Sequence, residues 1–341
     1  MVARNSRGRY NAAVTRRPLA PPCALRRTLV ATMAALTIAP CLSIAQSYPA
    51  KPVRLIVPYT SGNTDTTARI YGQKLAERLG QQVVIDNRPG AGANIGAEIA
   101  ARAAPDGYVL FYLSMSHAIN ASLYHKLNYD LVKDFAPIAL LIASPYILTV
   151  HPSVPARSVA ELLALAKARP GQLNYASSGS TSHLAFEYLS TLAQVKMNHI
   201  PYKSGAPATV AIISGQVEVA LASASASMPH IKSGKLRGLG ISTVQRSPQA
   251  PEMPTISEAG VPGYDVSTWH GVAAPAGTPR DIITRLNAES VALLKLPDVQ
   301  ERYRAVDSDP LGSTPEQFAA HIRSEIQKWA KVVKDSGVVA D

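Results

Sequence analysis

The sequence has 341 residues, and 34 Lys and Arg against 23 Asp and Glu give a formal net charge of +11. Seven of these excess positive charges lie in the first 45 residues, which leaves +4 for the rest of the chain. Because the remaining basic residues are scattered and aromatic residues make up only 6% of the chain, a nucleic-acid-binding surface is not predicted.

An export signal is predicted at the N-terminus. Arginines without any acidic residue precede an apolar stretch from Leu29 to Ala45, which ends in the small-residue pattern Ser43-Ile44-Ala45. We expect cleavage after Ala45, so that residues 1–45 form a signal peptide. Both cysteines, Cys23 and Cys41, lie in this segment. The exported chain is therefore expected to contain no disulfide and no cysteine metal ligand.

The first predicted unit of the fold is a strand, a polar loop and a helix within residues 51–79. Residues 53–57 are almost continuously apolar, which is typical of a strand buried on both faces. The loop 60–64 offers hydroxyl groups and Gly62, which can adopt positive φ, and Asp65 is expected to cap the helix. A helix N-terminus has free N–H donors and a partial positive charge, so this unit predicts a carboxylate or phosphate site that needs no Arg or Lys.

A glycine-rich segment, 87–96, follows the second predicted strand, 83–86. Its glycines are spaced G-x-G-x-x-x-G, and both the spacing and the position after the second strand differ from the dinucleotide-binding fingerprint. A nucleotide cofactor is therefore not predicted.

The third predicted strand, 108–114, ends in a second small polar loop, 114–117, which leads into a helix.

A second alternating series begins at residues 146–150, which are extended and bracketed by prolines, and residues 266–272 are expected to cross back. Its loop 177–183 repeats the first one, with hydroxyl groups and one glycine before a helix. The other predicted elements are helix 158–167, strands 173–176, 198–202, 217–223 and 236–242, and C-terminal helices 279–294 and 316–334.

This pattern predicts an α/β fold with two lobes and a ligand cleft between two α/β domains. Lobe 1 comprises residues 46–145 with 268–341, and lobe 2 comprises residues 146–267. Ligands of such sheets bind beyond the carboxyl ends of the strands, where both polar loops are predicted. One loop from each lobe therefore faces the cleft.

Short motifs throughout residues 48–341 resemble the Bug-type solute receptors, the periplasmic binding components of tripartite tricarboxylate transporters. Among them are Val57-Pro58-Tyr59, Asn87-Arg88-Pro89-Gly90-Ala91-Gly92, Pro105-Asp106-Gly107-Tyr108, His183-Leu184-Ala185, Pro201-Tyr202-Lys203, Gly215-Gln216-Val217 and Ala274-Pro275-Ala276-Gly277-Thr278-Pro279.

The resemblance implies a type II (Venus flytrap) periplasmic binding protein that closes on a small carboxylate, held largely by backbone amides, hydroxyls and water. The ligand would be a di- or tricarboxylate, or an aromatic or amino-acid carboxylate. We expect a periplasmic monomer without cofactor that delivers its ligand to membrane permease subunits. Both polar loops are shorter than the family pattern and keep a single glycine, which implies a ligand of different size or position.

The predicted ligand contacts come from the polar segments of both lobes. They are Tyr59, Thr60, Ser61, Gly62, Asn63, Thr64, Asp65, Ser114, Ser116, Ser178, Gly179, Ser180, Thr181, His183, Tyr202, Gly205, Ala206 and Ser223. Ser225 and Ser227 are placed with Ser223 at the end of a strand, as further hydroxyl contacts. Trp269 is expected in the hinge or the core.

Two alternatives remain open at the level of sequence. A serine hydrolase would use Ser180 or Ser178 as nucleophile and His183 as base, although this spacing within one loop does not match a nucleophile elbow and no orienting carboxylate is evident. A ligand sensor that feeds a membrane signalling partner would have the same sequence features as a transport receptor. The histidines form no H-x-x-x-H pair, so a metal site is not predicted.

Overall fold

Strands and helices alternate along the chain, as the hydrophobic pattern predicts. A computed structural model describes residues 48–60, 62–247 and 250–339, together with residues 13 and 15. The predicted cleavage site, both cysteines and Ser61 lie outside these described residues. The described residues from 48 onwards belong to one compact unit, Ser47–Asp341.

The first sheet region contains three parallel strands. Strand β1 (Val53–Val57) pairs with both β2 (Val83–Asn87) and β3 (Val109–Ser114). The connecting segments are α1 (Asn63–Leu79), a short 3₁₀ turn (Ala91–Ala93) and α2 (Asn94–Ala101), and β3 leads directly into α3 (Met115–Leu123). Residues 114–117, predicted as a loop, are thus the N-cap and the first turn of α3.

Strand β4 (Phe135–Val150) is 16 residues long and changes partners along its length. Up to Pro145 it pairs antiparallel with β9 (Ser267–Pro275), which also pairs with β3 and so completes the first sheet region. From Tyr146 onwards it pairs with β7 (Val219–Ser223) and β8 (Arg237–Ile241) in the second sheet region. The remaining strands of that region are β5 (Asn174–Ser177) and β6 (Asn198–Pro201), which pair in parallel.

Four helices accompany the second sheet region: α4 (Val159–Ala168), α5 (Ser180–Ala193), α6 (Gly205–Ile213) and α7 (Ala224–Lys232). Ser158 caps α4 by accepting a hydrogen bond from the Glu161 N–H at 3.2 Å. Helix α7 was not predicted. Ser225 and Ser227 therefore lie on a helix and not at a strand end, since β7 stops at Ser223.

The chain passes between the two sheet regions at Tyr146 and again at Val266, and Ser242 joins these two crossings. The Ser242 hydroxyl accepts a hydrogen bond from the Tyr146 N–H at 2.8 Å and donates one to the Val266 carbonyl at 2.5 Å. Ser242 is fully buried. The two crossing segments are consequently held side by side.

The C-terminal part returns to the first sheet region through α8 (Arg280–Leu294), α9 (Pro297–Arg304), the two-residue strand β10 (Asp309–Pro310) and α10 (Pro315–Ser336). Helix α9 and strand β10 were not predicted. Helix α10 packs against α3, β4 and α5, and thus contacts both sheet regions. Among the described residues, every helix is too short or too polar to span a lipid bilayer.

Candidate functional site

A cavity of about 260 Å³ is lined by residues of both sheet regions. The first region contributes the start of α1, the start of α3 and three consecutive residues of β9. The second contributes the starts of α5, α6 and α7, together with parts of β4, β5 and β7. The cavity therefore lies at the carboxyl ends of β1, β3, β5 and β7, where an α/β sheet binds its ligands.

Within the described residues, five helices place residues of their N-cap or first turn in the cavity lining. They are α1 with Asn63 and Thr64, α3 with Ser114, Met115 and Ser116, α5 with Thr181, α6 with Gly205, and α7 with Ser223, Ala226 and Ser227. Each helix N-terminus carries roughly half a positive charge and several N–H groups without an intrahelical partner. Their convergence favours an anion.

Four of these helix ends lack a side-chain cap. The N-cap residues Gly62, Gly179, Ser204 and Ser223 form no side-chain hydrogen bond to the first turn of their helices. Gly62 and Gly179 adopt φ values of 88° and 129°, which only glycine adopts readily, so no side chain stands before the N–H groups there. The donors of α1 and α5 are therefore open to a ligand.

Hydroxyl groups of the first sheet region form a chain along the cavity. The Tyr59 hydroxyl and Ser116 Oγ are 2.5 Å apart, and Ser116 Oγ lies 2.8 Å from Ser114 Oγ. Ser114 also donates its N–H to Nδ1 of His117 at 3.1 Å. Burial lowers the pKa of His117 to about 4, so this imidazole is neutral and orients the chain without adding charge.

His270 on β9 forms a second polar contact of the lining. Its Nε2 lies 2.9 Å from Thr64 Oγ1, and its ring stacks on Tyr112 with 5.3 Å between the ring centroids. Its Nδ1 is buried without a hydrogen-bond partner. Burial, together with the nearby His117, lowers the pKa of His270 to about 3, so it too is neutral at physiological pH.

The lining has no charged side chain among the described residues: it contains no Asp, Glu, Lys or Arg. A bound anion would therefore be stabilised by N–H groups, hydroxyls and helix dipoles and not by an ion pair.

Nine of the predicted contact residues line the cavity. They are Tyr59, Asn63, Thr64, Ser114, Ser116, Ser178, Thr181, Gly205 and Ser223. Of the other predicted residues, Thr60, Gly62, Asp65, Gly179, Ser180, His183, Tyr202 and Ala206 lie outside the lining, and Ser61 lies outside the described residues. Ligand contact by any of them stays a prediction.

Asp65 and His183 have structural partners. Asp65 is the third residue of α1 and not its cap; its carboxylate accepts hydrogen bonds from Arg69 Nε at 2.8 Å and Asn87 Nδ2 at 2.7 Å. Burial alone would raise the pKa of Asp65, but these bonds hold it below its usual value. His183 stacks on His199 with 3.6 Å between centroids, and its Nε2 lies 3.8 Å from Glu187 Oε1.

Sequence reasoning missed most of the cavity wall. The additional lining residues are Met115, Tyr146, Thr149, Ala176, Ala208, Thr209, Ile212, Ala220, Leu221, Ala222, Ala226, Leu236, Thr268, Trp269 and His270. Of the two serines expected as further hydroxyl contacts, Ser227 lines the cavity and Ser225 does not. Trp269 was expected in the hinge or core; it is buried, lines the cavity and donates its indole N–H to Glu325 at 2.9 Å. The other additional residues carried no signal in the sequence that marks them as ligand contacts.

Two other kinds of site have little support. The described residues contain no group of three His, Cys, Asp or Glu side chains that could hold a metal ion. A second, more open cavity of about 640 Å³ lies between α8 and the segment before α10. We place the functional site in the smaller cavity because it alone of the two receives the converging helix N-termini.

Comparison with known proteins gives relatives along most of the chain. Residues 67–338 match the family described as tripartite tricarboxylate transporter family receptor. The protein BugT of Bordetella pertussis is 38% identical over 298 residues, which is 86% of this chain and 91% of BugT.

Solved structures agree with this match. The Rhodopseudomonas palustris protein Rpa4515, solved with adipate, has 38% identity and a TM-score of 0.75, covering 86% of this chain and 99% of its own. MatC of the same species, solved with bound malate, has 34% identity and a TM-score of 0.70 over 84% and 100% of the two chains. The periplasmic binding protein BugD has 31% identity and a TM-score of 0.72 over 86% and 100%.

These matches confirm the predicted two-lobed α/β fold of a periplasmic solute-binding protein. The chain belongs to the tripartite tricarboxylate transporter receptor family and is a receptor of the Bug type.

Proposed function

We propose that this protein is a periplasmic receptor that binds a small carboxylate in the 260 Å³ cavity and delivers it to the membrane subunits of a tripartite transporter. The observation that carries the proposal is the convergence of uncapped helix N-termini on a cavity whose described lining has no charged side chain. The relatives solved with adipate and malate support a carboxylate as the ligand. The signal-like N-terminus supports export.

The energetics suit reversible capture. A hydrogen bond to a charged group contributes about 1.5 to 3 kcal/mol, and a helix end about 0.3 to 2 kcal/mol. Three or four such contacts, offset by the entropy lost on association, reach the roughly 8 kcal/mol of micromolar binding without any ion pair. Receptor and transporter can then exchange the ligand.

We further propose that the protein binds its ligand without converting it. Ser180 is the first residue of α5 and lies outside the cavity lining, as does His183, which contacts Glu187 and His199. Mass spectrometry of the bound ligand after long incubation checks this proposal. Recovery of a reaction product that disappears in Ser180→Ala, or in Ser178→Ala, whose residue belongs to the cavity lining, would contradict it.

The binding site is tested with Thr181→Asp and its neutral control Thr181→Asn. Thr181 is the second residue of α5, where an added carboxylate interacts favourably with the helix end and leaves the fold intact, yet repels an anion in the cavity. We expect calorimetric titration with adipate and malate to show at least about a hundredfold loss of affinity for Thr181→Asp and less than about tenfold for Thr181→Asn, since a tenfold change corresponds to 1.4 kcal/mol. Equal affinities of the two variants would contradict a carboxylate site at α5.

A further inference from the structure

One wall of the cavity is apolar and built from the second sheet region. Ala176, Ile212, Ala220 and Leu236 line the cavity and belong to one small buried apolar cluster, against which Ala208 of α6 also packs. All four cluster members are more than nine-tenths buried. The cavity therefore extends from the polar helix ends into an apolar cluster.

One polar atom near this wall is left without a partner. Ser227 lines the cavity from α7, its side chain is only 2% exposed, and its Oγ has no hydrogen-bond partner. Helix α7 packs against α6, which carries Ala208 and Ile212. Because an unpaired buried hydroxyl costs free energy, this atom points to a polar group that the ligand supplies.

The apolar wall favours some carboxylate ligands over others, according to the chemistry of the part of the ligand that contacts it. Methylene or ring carbons placed against it favour binding, because their apolar surface is removed from water. A second carboxylate at the same place would lose its hydration, and the described lining holds no Lys or Arg that could compensate. A neutral hydroxyl could pair with Ser227 at little cost.

We infer that the ligand carries one carboxylate on an uncharged, mainly apolar body, with at most one hydroxyl or similar neutral group placed to meet Ser227. This inference rests on the proposed function, since it assigns the carboxylate to the helix ends. It narrows the ligand class from carboxylates in general to apolar monocarboxylates, and it disfavours tricarboxylates most strongly.

The experiment compares three six-carbon probes by calorimetric titration of the exported chain: hexanoate, 6-hydroxyhexanoate and adipate. We expect hexanoate to bind at least about tenfold more tightly than adipate, and 6-hydroxyhexanoate to bind at least as tightly as hexanoate. The variant Ser227→Ala should lower the ratio of 6-hydroxyhexanoate to hexanoate affinity by about threefold to tenfold, the range of one net hydrogen bond. Adipate binding as tightly as hexanoate, or an unchanged ratio in Ser227→Ala, would overturn the inference.

A gain of function provides the matched control. Ala208→Lys places a cation at the apolar wall and should shift the preference towards adipate by at least about tenfold. Val210→Lys adds the same charge on the same helix at a residue that is 65% exposed and outside the lining, and should leave the preference unchanged. An equal shift in both variants would overturn the inference.

The proposed function fails separately if none of the three probes binds and neither malate nor citrate binds. Tight binding of adipate is a different result: it overturns the inference about the ligand and leaves the proposed function in place.

Discussion

At the scale of single residues, two neutral histidines lie at the cavity: His270 lines it, and His117 contacts the lining residue Ser114. His117 is fully buried and His270 is 4% exposed, and burial lowers their pKa values to about 4 and about 3. In the unfolded chain both would titrate near the ordinary value of about 6.5. Between these limits the unfolded state binds more protons than the folded state, so folding becomes less favourable as the pH falls.

We therefore predict that the free energy of unfolding of the ligand-free protein falls between about pH 6.5 and pH 4. Each histidine contributes about 1.4 kcal/mol per pH unit well inside this window, which ends lower for His270 than for His117. Urea unfolding at a series of pH values measures the slope, and His270→Gln should reduce it by the equivalent of about one proton. A free energy that does not change across this range would contradict the buried neutral state of both side chains.

At the scale of elements, α10 is fixed to the sheet by one buried carboxylate. Glu325 accepts hydrogen bonds from the indole N–H groups of Trp269 on β9 at 2.9 Å and of Trp329 on α10 at 3.0 Å, and pairs with Lys328. Burial alone would raise the pKa of Glu325, but Lys328 and the two indoles hold it below its usual value. The carboxylate thus stays ionised and joins β9 to α10.

We predict that Glu325→Ala lowers the free energy of unfolding by about 2 to 4 kcal/mol, because it leaves two buried indole donors unpaired at about 1 to 3 kcal/mol each, partly relieved by relaxation. The matched control is Glu316→Ala in the first turn of α10, where the side chain is exposed and the loss should stay below about 1 kcal/mol. Urea unfolding followed by tryptophan fluorescence measures both. Equal losses would show that the buried carboxylate has no special role.

The elements that sequence predicts well are those whose signals are local. The apolar run 53–57 predicts β1 to the residue, and Gly80 predicts the end of α1. The helix begins earlier than expected, at Asn63, because Gly62 and not Asp65 is its N-cap. The same reasoning missed α7, because the alternating Ser-Ala sequence after Ser223 has no strong hydrophobic periodicity. It also predicted a loop at residues 114–117, because small polar residues are common both in loops and at the start of helices.

The cavity wall is harder to predict, since it depends on long-range pairing. His270 is part of the site because β9 pairs with β3, opposite Ser114, and this neighbour cannot be read from the residues around 270. The apolar wall is similarly invisible, because Ala176, Ala220 and Leu236 look like ordinary core residues along the chain. The sequence thus predicts donors at the helix ends but does not predict the shape of the cavity.

At the scale of the whole molecule, we propose that the lobes, residues 46–145 with 268–341 and residues 146–267, close on the ligand by pivoting about the two crossings. Ser242 holds these crossings together through Tyr146 and Val266. Helix α10 contacts both sheet regions. One apolar cluster also spans them, since it contains Phe111 of the first region and Leu239 of the second. Closure therefore has to keep or repack these contacts.

Closure predicts a shorter distance between the lobes when a carboxylate is bound. Because both cysteines lie in the predicted signal segment, spin labels can be introduced in a protein that comprises residues 46–341, at Val84→Cys on β2 and Val210→Cys on α6, which are 43% and 65% exposed. Pulsed electron spin resonance with saturating ligand should shorten this distance by more than about 2 Å, as in other hinge closures. The control pair Val84→Cys and Leu311→Cys lies within one proposed lobe, so its distance should stay constant. If the first distance does not change although calorimetry shows binding, the receptor binds its ligand without closing; if both distances change, the lobe boundaries are wrong.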